Sequence, residues 1–157
     1  MAWKTFSGKP LRSDIRQAVK DSIIREQARG CPLRVCIGTD SQSTARTVHF
    51  ATVIVFVREK QGGFMFVNES FTNGNGMPLK ERLIMEVGKS VETAYQIDGI
   101  LREYKVPLEI HADINTDEES RSYVAMKEAL GYIKGMGYQY KLKPEAFASS
   151  SCADKYV

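Results

Sequence analysis

Three consecutive β-rich segments, joined by short linkers, constrain the fold of this chain more than any other feature. Residues 33–40, 47–58 and 64–71 are rich in Val, Ile, Phe and Thr, which favour strands. The linkers between them are a few residues long, and such short connections join antiparallel neighbours. The sequence therefore predicts a three-stranded antiparallel meander.

The rest of the chain alternates helical and strand patterns. The pairs Pro78-Leu79 and Thr116 with Glu119 are typical helix starts. The predicted order after the meander is a helix to about residue 104, a strand over 108–114, a helix towards Gly135, a strand over 138–142 and a short helix over 146–154. Strands separated by helices pair in parallel, so this half predicts two parallel strands.

A further helix is predicted before the meander, with Ser13 as its cap and Gly30 near its end. At 157 residues the chain has the size of one domain. We therefore expect a single α/β domain over 1–157 with a mixed five-stranded sheet, formed by the antiparallel meander plus two parallel strands, and helices on both faces.

The net charge and the cysteine content place only weak limits on the function. The net charge of +3 permits binding to a polyanion without indicating one. Cys31, Cys36 and Cys152 lack C-x-x-C spacing, which favours reduced thiols over disulfides or a zinc site. No leader or membrane span is recognisable in the sequence, so a cytoplasmic location is expected.

Two aspartates are predicted at the carboxyl ends of strands. Alternation places Asp40 on the face of Cys36 and Gly38, whose small side chains leave room beside the carboxylate. Asp113 ends the 108–114 strand on the face that it shares with His111. The crevice beyond the carboxyl ends of strands is where open α/β sheets bind ligands, so these two acids predict a site there.

Glu86 is the third candidate. It lies at the edge of the apolar stripe of its helix, one turn from Leu83 and Ser90, and so faces the sheet. A desolvated carboxylate must be protonated, paired or bound to a cation. Three such acids on elements that pack together predict one or two bound metal ions, and oxygen ligands suit Mg²⁺ or Mn²⁺.

Each acid alone has an ordinary structural alternative. An aspartate that ends a strand commonly caps a turn, as Asp40 could. Glu86 could be a solvated rim residue, and Asp113 could cap the loop through Asn115. Their joint placement on two strands and the helix between them favours a shared site, because independent structural roles do not require it.

The chain resembles the YkuK-type ribonuclease H-like family in four sequence runs, which together span nearly its whole length. These are I-G-T-D-S-Q over 37–42, R-L-I-M-E over 82–86, E-I-H-A-D-I-N over 109–115 and K-P-E-A-F-A-S-S-S-C-A-D over 143–154. The resemblance implies the ribonuclease H fold and two metal ions held by four acids. Carried over by position, these are Asp40, Glu86, Asp113 and Asp154.

The resemblance also implies roles and a reaction. Asp40 would bridge the two ions, Glu86 and Asp113 would each complete one coordination sphere, and Asp154 would help to hold the ion that activates water. The reaction would be two-metal hydrolysis of phosphodiester bonds in RNA, RNA–DNA hybrid or DNA, with ions ~3.5–4 Å apart and no covalent intermediate.

Nucleic acid is the expected partner, and polar residues at the rim would contact its phosphate or sugar oxygens. The candidates are Ser41, Gln42, Asn115 and Lys143. His111 could support the metal ligands or be a satisfied core histidine. Three tyrosines could stack on bases, although their spacing is more typical of core packing: Tyr132, Tyr138 and Tyr140.

Two other functions compete with a nuclease. A domain of this fold could bind nucleic acid or a protein without cleaving anything. An actin-like phosphotransferase could use Gly38-Thr39-Asp40 to bind ATP, but the chain is too short for the duplicated domains of that family.

Overall fold

The computed structural model describes residues 2–114 and 123–157, and within these ranges it contains six strands and three α-helices. The strands are β1 (Trp3–Thr5), β2 (Leu33–Ser43), β3 (Thr47–Arg58), β4 (Gly63–Asn73), β5 (Leu108–His111) and β6 (Gln139–Lys141). The helices are α1 (Ile15–Ala28), α2 (Leu79–Glu103) and α3 (Tyr123–Gly135). A π-helical turn (Ala148–Cys152) and a 3₁₀ turn (Ala153–Tyr156) form what we call the last helical segment.

The strands form one mixed sheet in the order β1-β4-β3-β2-β5-β6. The strands β2, β3 and β4 pair as the predicted antiparallel meander, and β5 and β6 add in parallel beside β2. The expected count of five strands was wrong, because β1 pairs with the outer edge of β4. Three residues are too few to show the alternation of a strand in sequence, yet Trp3 is buried there.

The start of α1 and the end of β5 differ from the predictions. Asp14, and not Ser13, caps α1, since its carboxylate accepts the backbone N–H of Gln17 at 2.9 Å. The strand β5 ends at His111, so Asp113 lies in the loop that follows it. The predicted cap at Thr116 and Glu119 falls outside the described residues.

Helices cover both faces of the sheet, as predicted. The three α-helices pack on one another and on one face, where they enclose the larger apolar core. The last helical segment covers part of the other face, with a smaller core that includes Cys36, Val53 and Ala148. In the described part of the chain, every helix is too short or too polar to cross a bilayer.

Candidate metal centre

Asp40 lies on β2 opposite Ala51 of β3 and is 9% exposed. Its carboxylate accepts the backbone N–H of Ser41 at 2.8 Å. Burial raises the pKa of Asp40 to about 7, and a hydrogen bond with Asp154 and the negative charge of Asp113 act in the same direction. Two carboxyl groups can share a hydrogen bond only when one of them is protonated.

Glu86 approaches this site from α2 and is 4% exposed. The Ser41 hydroxyl donates a hydrogen bond to Glu86 Oε2. Burial raises the pKa of Glu86 well above its ordinary value, and the charges of Asp40 and Asp113 raise it further. The prediction that Glu86 faces the sheet is therefore confirmed by its burial and by its contact with β2.

Asp113 occupies the loop after β5 and is bound by two side chains. Ser150 Oγ donates to Asp113 Oδ1 at 2.8 Å. Lys143 Nζ lies 3.2 Å from the same oxygen. Ser150 belongs to the last helical segment, so that segment helps to fix the Asp113 carboxylate.

Asp154 lies in the 3₁₀ turn of the last helical segment and contacts Asp40. Gly38 on β2 allows the last helical segment to come close enough for this contact. A Cβ at Gly38 would lie 2.4 Å from Ser149 N and 2.6 Å from the Ala148 carbonyl carbon. The absence of a side chain at this position thus lets the segment pack directly on β2, and Asp154 is held beside Asp40 as a consequence.

The structure thus brings the four predicted acids together from four separate elements. Their charges act on one another, as the raised pKa of Asp40 and of Glu86 shows. Among the described residues, no three of these four acids have ligand atoms that all lie within 4.8 Å of one another. Hard oxygen donors with excess negative charge fit Mg²⁺ or Mn²⁺.

His111 joins the sheet to the last helical segment. Its Nδ1 accepts the backbone N–H of Ala148 at 3.1 Å, and its Nε2 lies 3.1 Å from Glu109 Oε1. Burial lowers the pKa of His111, so the neutral ring donates from Nε2 to Glu109. Arg34 also donates to this carboxylate oxygen, at 2.9 Å. His111 therefore anchors the segment that carries Asp154, which agrees with a supporting position and not with a ligand.

Cys36, Glu109 and His111 form the one set of three ligand-type side chains in the described ranges whose atoms all lie within 4.8 Å. Burial raises the pKa of the Cys36 thiol to about 12, and this thiol lies 3.6 Å from Glu109 Oε1. The Arg34 guanidinium also occupies the Glu109 oxygen. This set is better explained as a hydrogen-bonded network. All three cysteines carry free thiols.

The predicted substrate contacts lie in different surroundings. Gln42 is exposed at the end of β2, and Lys143 is 45% exposed beside Asp113. Ser41 is buried, and its hydroxyl is engaged by Glu86. Asn115 lies outside the described residues. That these four residues contact a substrate stays a prediction.

The three tyrosines that were candidates for base stacking differ in their burial. Tyr138 and Tyr140 pack against the larger core, and the Tyr138 hydroxyl donates to Asp98 at 3.1 Å. Tyr132 is 51% exposed. Sequence reasoning missed Ser150, which supports Asp113, because a serine within a short terminal helix carries no periodic signal.

Comparison with known proteins agrees with this arrangement. The family model described as Ribonuclease H-like matches residues 14–157. The chain is also 26% identical, over 134 residues, to the uncharacterized protein YkuK of Bacillus subtilis (strain 168), with 77% of each chain covered. The family-model match includes the four elements that carry the acids, which are β2, α2, the loop after β5 and the last helical segment. This chain therefore belongs to the ribonuclease H-like family, in its YkuK-type group.

Proposed function

We propose that this chain is a metal-dependent nuclease that hydrolyses phosphodiester bonds of RNA, RNA–DNA hybrid or DNA. The observation that carries the proposal is the convergence of four carboxylates from β2, α2, the loop after β5 and the last helical segment. Burial, together with the charges of neighbouring acids, raises the pKa of Asp40 and of Glu86, so their ionised forms are disfavoured unless a positive charge lies nearby. A divalent cation would supply the missing positive charge.

In this proposal Asp40, Glu86, Asp113 and Asp154 hold one or two Mg²⁺ or Mn²⁺ ions. Bound ions of this kind supply Lewis acidity to water and to phosphoryl oxygens. The remaining residues position the acids, with Ser41 orienting Glu86 and Ser150 orienting Asp113. The exposed ammonium of Lys143 lies at the rim, where it would neutralise a substrate phosphate.

A covalent route is disfavoured by the surroundings of Cys36. This thiol is fully buried, and its pKa of about 12 keeps it protonated at neutral pH. A protonated, inaccessible thiol is a poor nucleophile. Cys36 is therefore excluded as the nucleophile, and the proposal assigns that role to water.

One observation favours the alternative, a nucleic-acid-binding domain that cleaves nothing. Lys143 Nζ pairs with Asp113 at 3.2 Å and so occupies a carboxylate oxygen with a protein cation. A permanent pair of this kind would lower the affinity of Asp113 for a metal. Binding without metal-dependent cleavage would identify this alternative.

The proposal is tested by incubating the purified protein with labelled RNA, DNA and RNA–DNA hybrid in Mg²⁺, in Mn²⁺ and in chelator. We expect products from at least one substrate with metal and none with chelator. Asp113→Asn should abolish them, because it removes a ligand. Asp21→Asn, which changes an exposed acid of α1, should cleave like the wild type. Equal cleavage by the wild type and Asp113→Asn would contradict the proposed site.

Ser41→Ala is expected to weaken the binding of Mn²⁺ about tenfold, because hydrogen-bond partners of ligating carboxylates orient them for the metal. Isothermal titration of wild type and variant measures the effect. Ser43→Ala is the matched control, since the one hydrogen bond of this exposed hydroxyl to the described residues is to the Thr44 carbonyl oxygen at 3.3 Å. A Ser41→Ala affinity equal to that of Ser43→Ala would show that Ser41 does not position Glu86.

A further inference from the structure

A row of side chains lies beside the acids on the same face of the sheet. The register pairs Gln42 with His49 and His49 with Phe71. Gln42 is two residues beyond Asp40 on β2, and alternation therefore places this row on the Asp40 face. The last helical segment packs on that face over the row of Gly38. Phe71 lies in the part that stays open.

The Phe71 ring is exposed but held in place. It is 68% exposed, and it stacks on His49 with ring centroids 4.3 Å apart and an interplanar angle of 12°. His49 Nε2 is in turn fixed by Glu69 Oε1 at 2.9 Å, and Glu69 pairs with Lys4. A chain of contacts across the sheet edge thus fixes an aromatic ring whose outer face remains in water.

This arrangement does not serve the core and does not resemble a protein-docking groove. Phe71 belongs to neither of the apolar cores that the described residues form, and its neighbours in the row are a polar amide and an imidazole. A flat apolar surface edged by polar groups fits a ligand of the same character. A nucleobase has an apolar face and polar edges, and stacking on aromatic side chains is how unpaired bases are bound.

Phe71 also lies at a suitable distance from the acids to contact a nucleotide whose phosphate is bound there. Two residues along a strand and two strands across place Phe71 about 12 Å from Asp40, from strand spacings of about 3.4 Å and 4.8 Å. A nucleotide near a phosphate held at the acids could reach this ring without crossing the covered part of the sheet. Bases within a duplex are already stacked and would be unavailable to it.

We propose that Phe71, backed by His49, is a stacking platform for an unpaired base of a single-stranded nucleic acid bound at the acidic site. This inference rests on the proposed function and adds a preference for single-stranded over paired substrate. The fixed ring loses little freedom on binding, which favours its use as a preorganised contact.

The test is the affinity of a fluorescent single-stranded oligonucleotide, measured by anisotropy with Ca²⁺ in place of Mg²⁺. Phe71→Ala should bind on the order of tenfold more weakly than the wild type, as expected for the loss of one stacked base. Phe71→Trp should restore binding. Tyr95→Ala is the matched control, since Tyr95 is also 68% exposed but lies on α2, and it should bind like the wild type.

A second arm replaces one base at a time with an abasic site. The wild type should lose affinity at one position, and Phe71→Ala should be insensitive there. Wild-type affinity in Phe71→Ala, or an equal loss on the fully paired duplex, would overturn the platform. If the same preparation still cleaves nucleic acid with Mg²⁺, the proposed function stands without it. A wild type that neither binds nor cleaves any nucleic acid would overturn both.

Discussion

Asp40→Asn is expected to stabilise the metal-free protein while it removes cleavage. Asparagine keeps the size of the side chain but carries no charge to bury. In chelator above pH 7 the free energy of unfolding should rise by an amount on the order of 2 kcal/mol, which corresponds to a Tm increase of roughly 5 °C. Cleavage with Mg²⁺ should fall about a thousandfold, because several kcal/mol of charge stabilisation is lost.

The pH dependence of this stabilisation follows from the direction of the pKa shift. The pKa of Asp40 is about 7 in the folded protein against an ordinary value of 3.8. Between these values the folded state binds more protons than the unfolded chain, so stability falls as pH rises. The difference in Tm between variant and wild type should therefore grow from about pH 4 to about pH 7 and stay level above.

Thermal unfolding in chelator and in Mn²⁺ measures both effects. In Mn²⁺ the wild type should have the higher Tm of the two proteins, because an ion that binds the folded wild type stabilises it by mass action. An Asp40→Asn variant that is less stable than the wild type at every pH in chelator would contradict the account of uncompensated charge at this site.

Gly38→Ala is expected to disturb the protein far more than the size of a methyl group suggests. The new Cβ would meet backbone atoms of Ala148 and Ser149, which cannot rotate away as a side chain can. The last helical segment must shift, at a cost of about 1–3 kcal/mol in stability. Since this segment carries Asp154 and fixes Asp113 through Ser150, cleavage and Mn²⁺ affinity should fall together.

The matched control is Gly99→Ala, on α2, where an added Cβ meets no atom within 4 Å. This change should raise stability by about 0.5–1 kcal/mol, since Ala is the better helix former. Urea unfolding and cleavage rates of both variants provide the comparison. Wild-type stability and activity in Gly38→Ala would show that the segment does not depend on close packing against β2.

Much of the sheet could be predicted from sequence because its signals are local. The strands of the meander are long and β-branched, and the linkers between them are too short for crossovers. The edge strand β1 was missed because Trp3 and its neighbours form too short a run to alternate. Asp14 was missed as the cap of α1 because Ser13 beside it is an equally good capping residue, and only the geometry of the chain entry selects one.

The residues of the candidate site differ in how far sequence patterns alone could indicate them. Strand alternation and the helical stripe indicated Asp40, Asp113 and Glu86 without any resemblance. Asp154 required the resemblance, because no local pattern shows that a residue so near the chain end packs on β2. The approach depends on Gly38, whose role is visible only once Ala148 and Ser149 lie against it. The exposure of Phe71 could not be predicted either, since a strand pattern does not show which part of a sheet face is packed against a helix and which part is left in solvent.

The most direct test of the central claim is anomalous diffraction from crystals soaked in Mn²⁺. We predict one or two anomalous peaks bounded by the carboxylates of Asp40, Glu86 and Asp113, with Asp154 beside Asp40. Ordered Mn²⁺ elsewhere, such as at Cys36 and His111, with no peak among the four acids would contradict the claim that they form a metal centre.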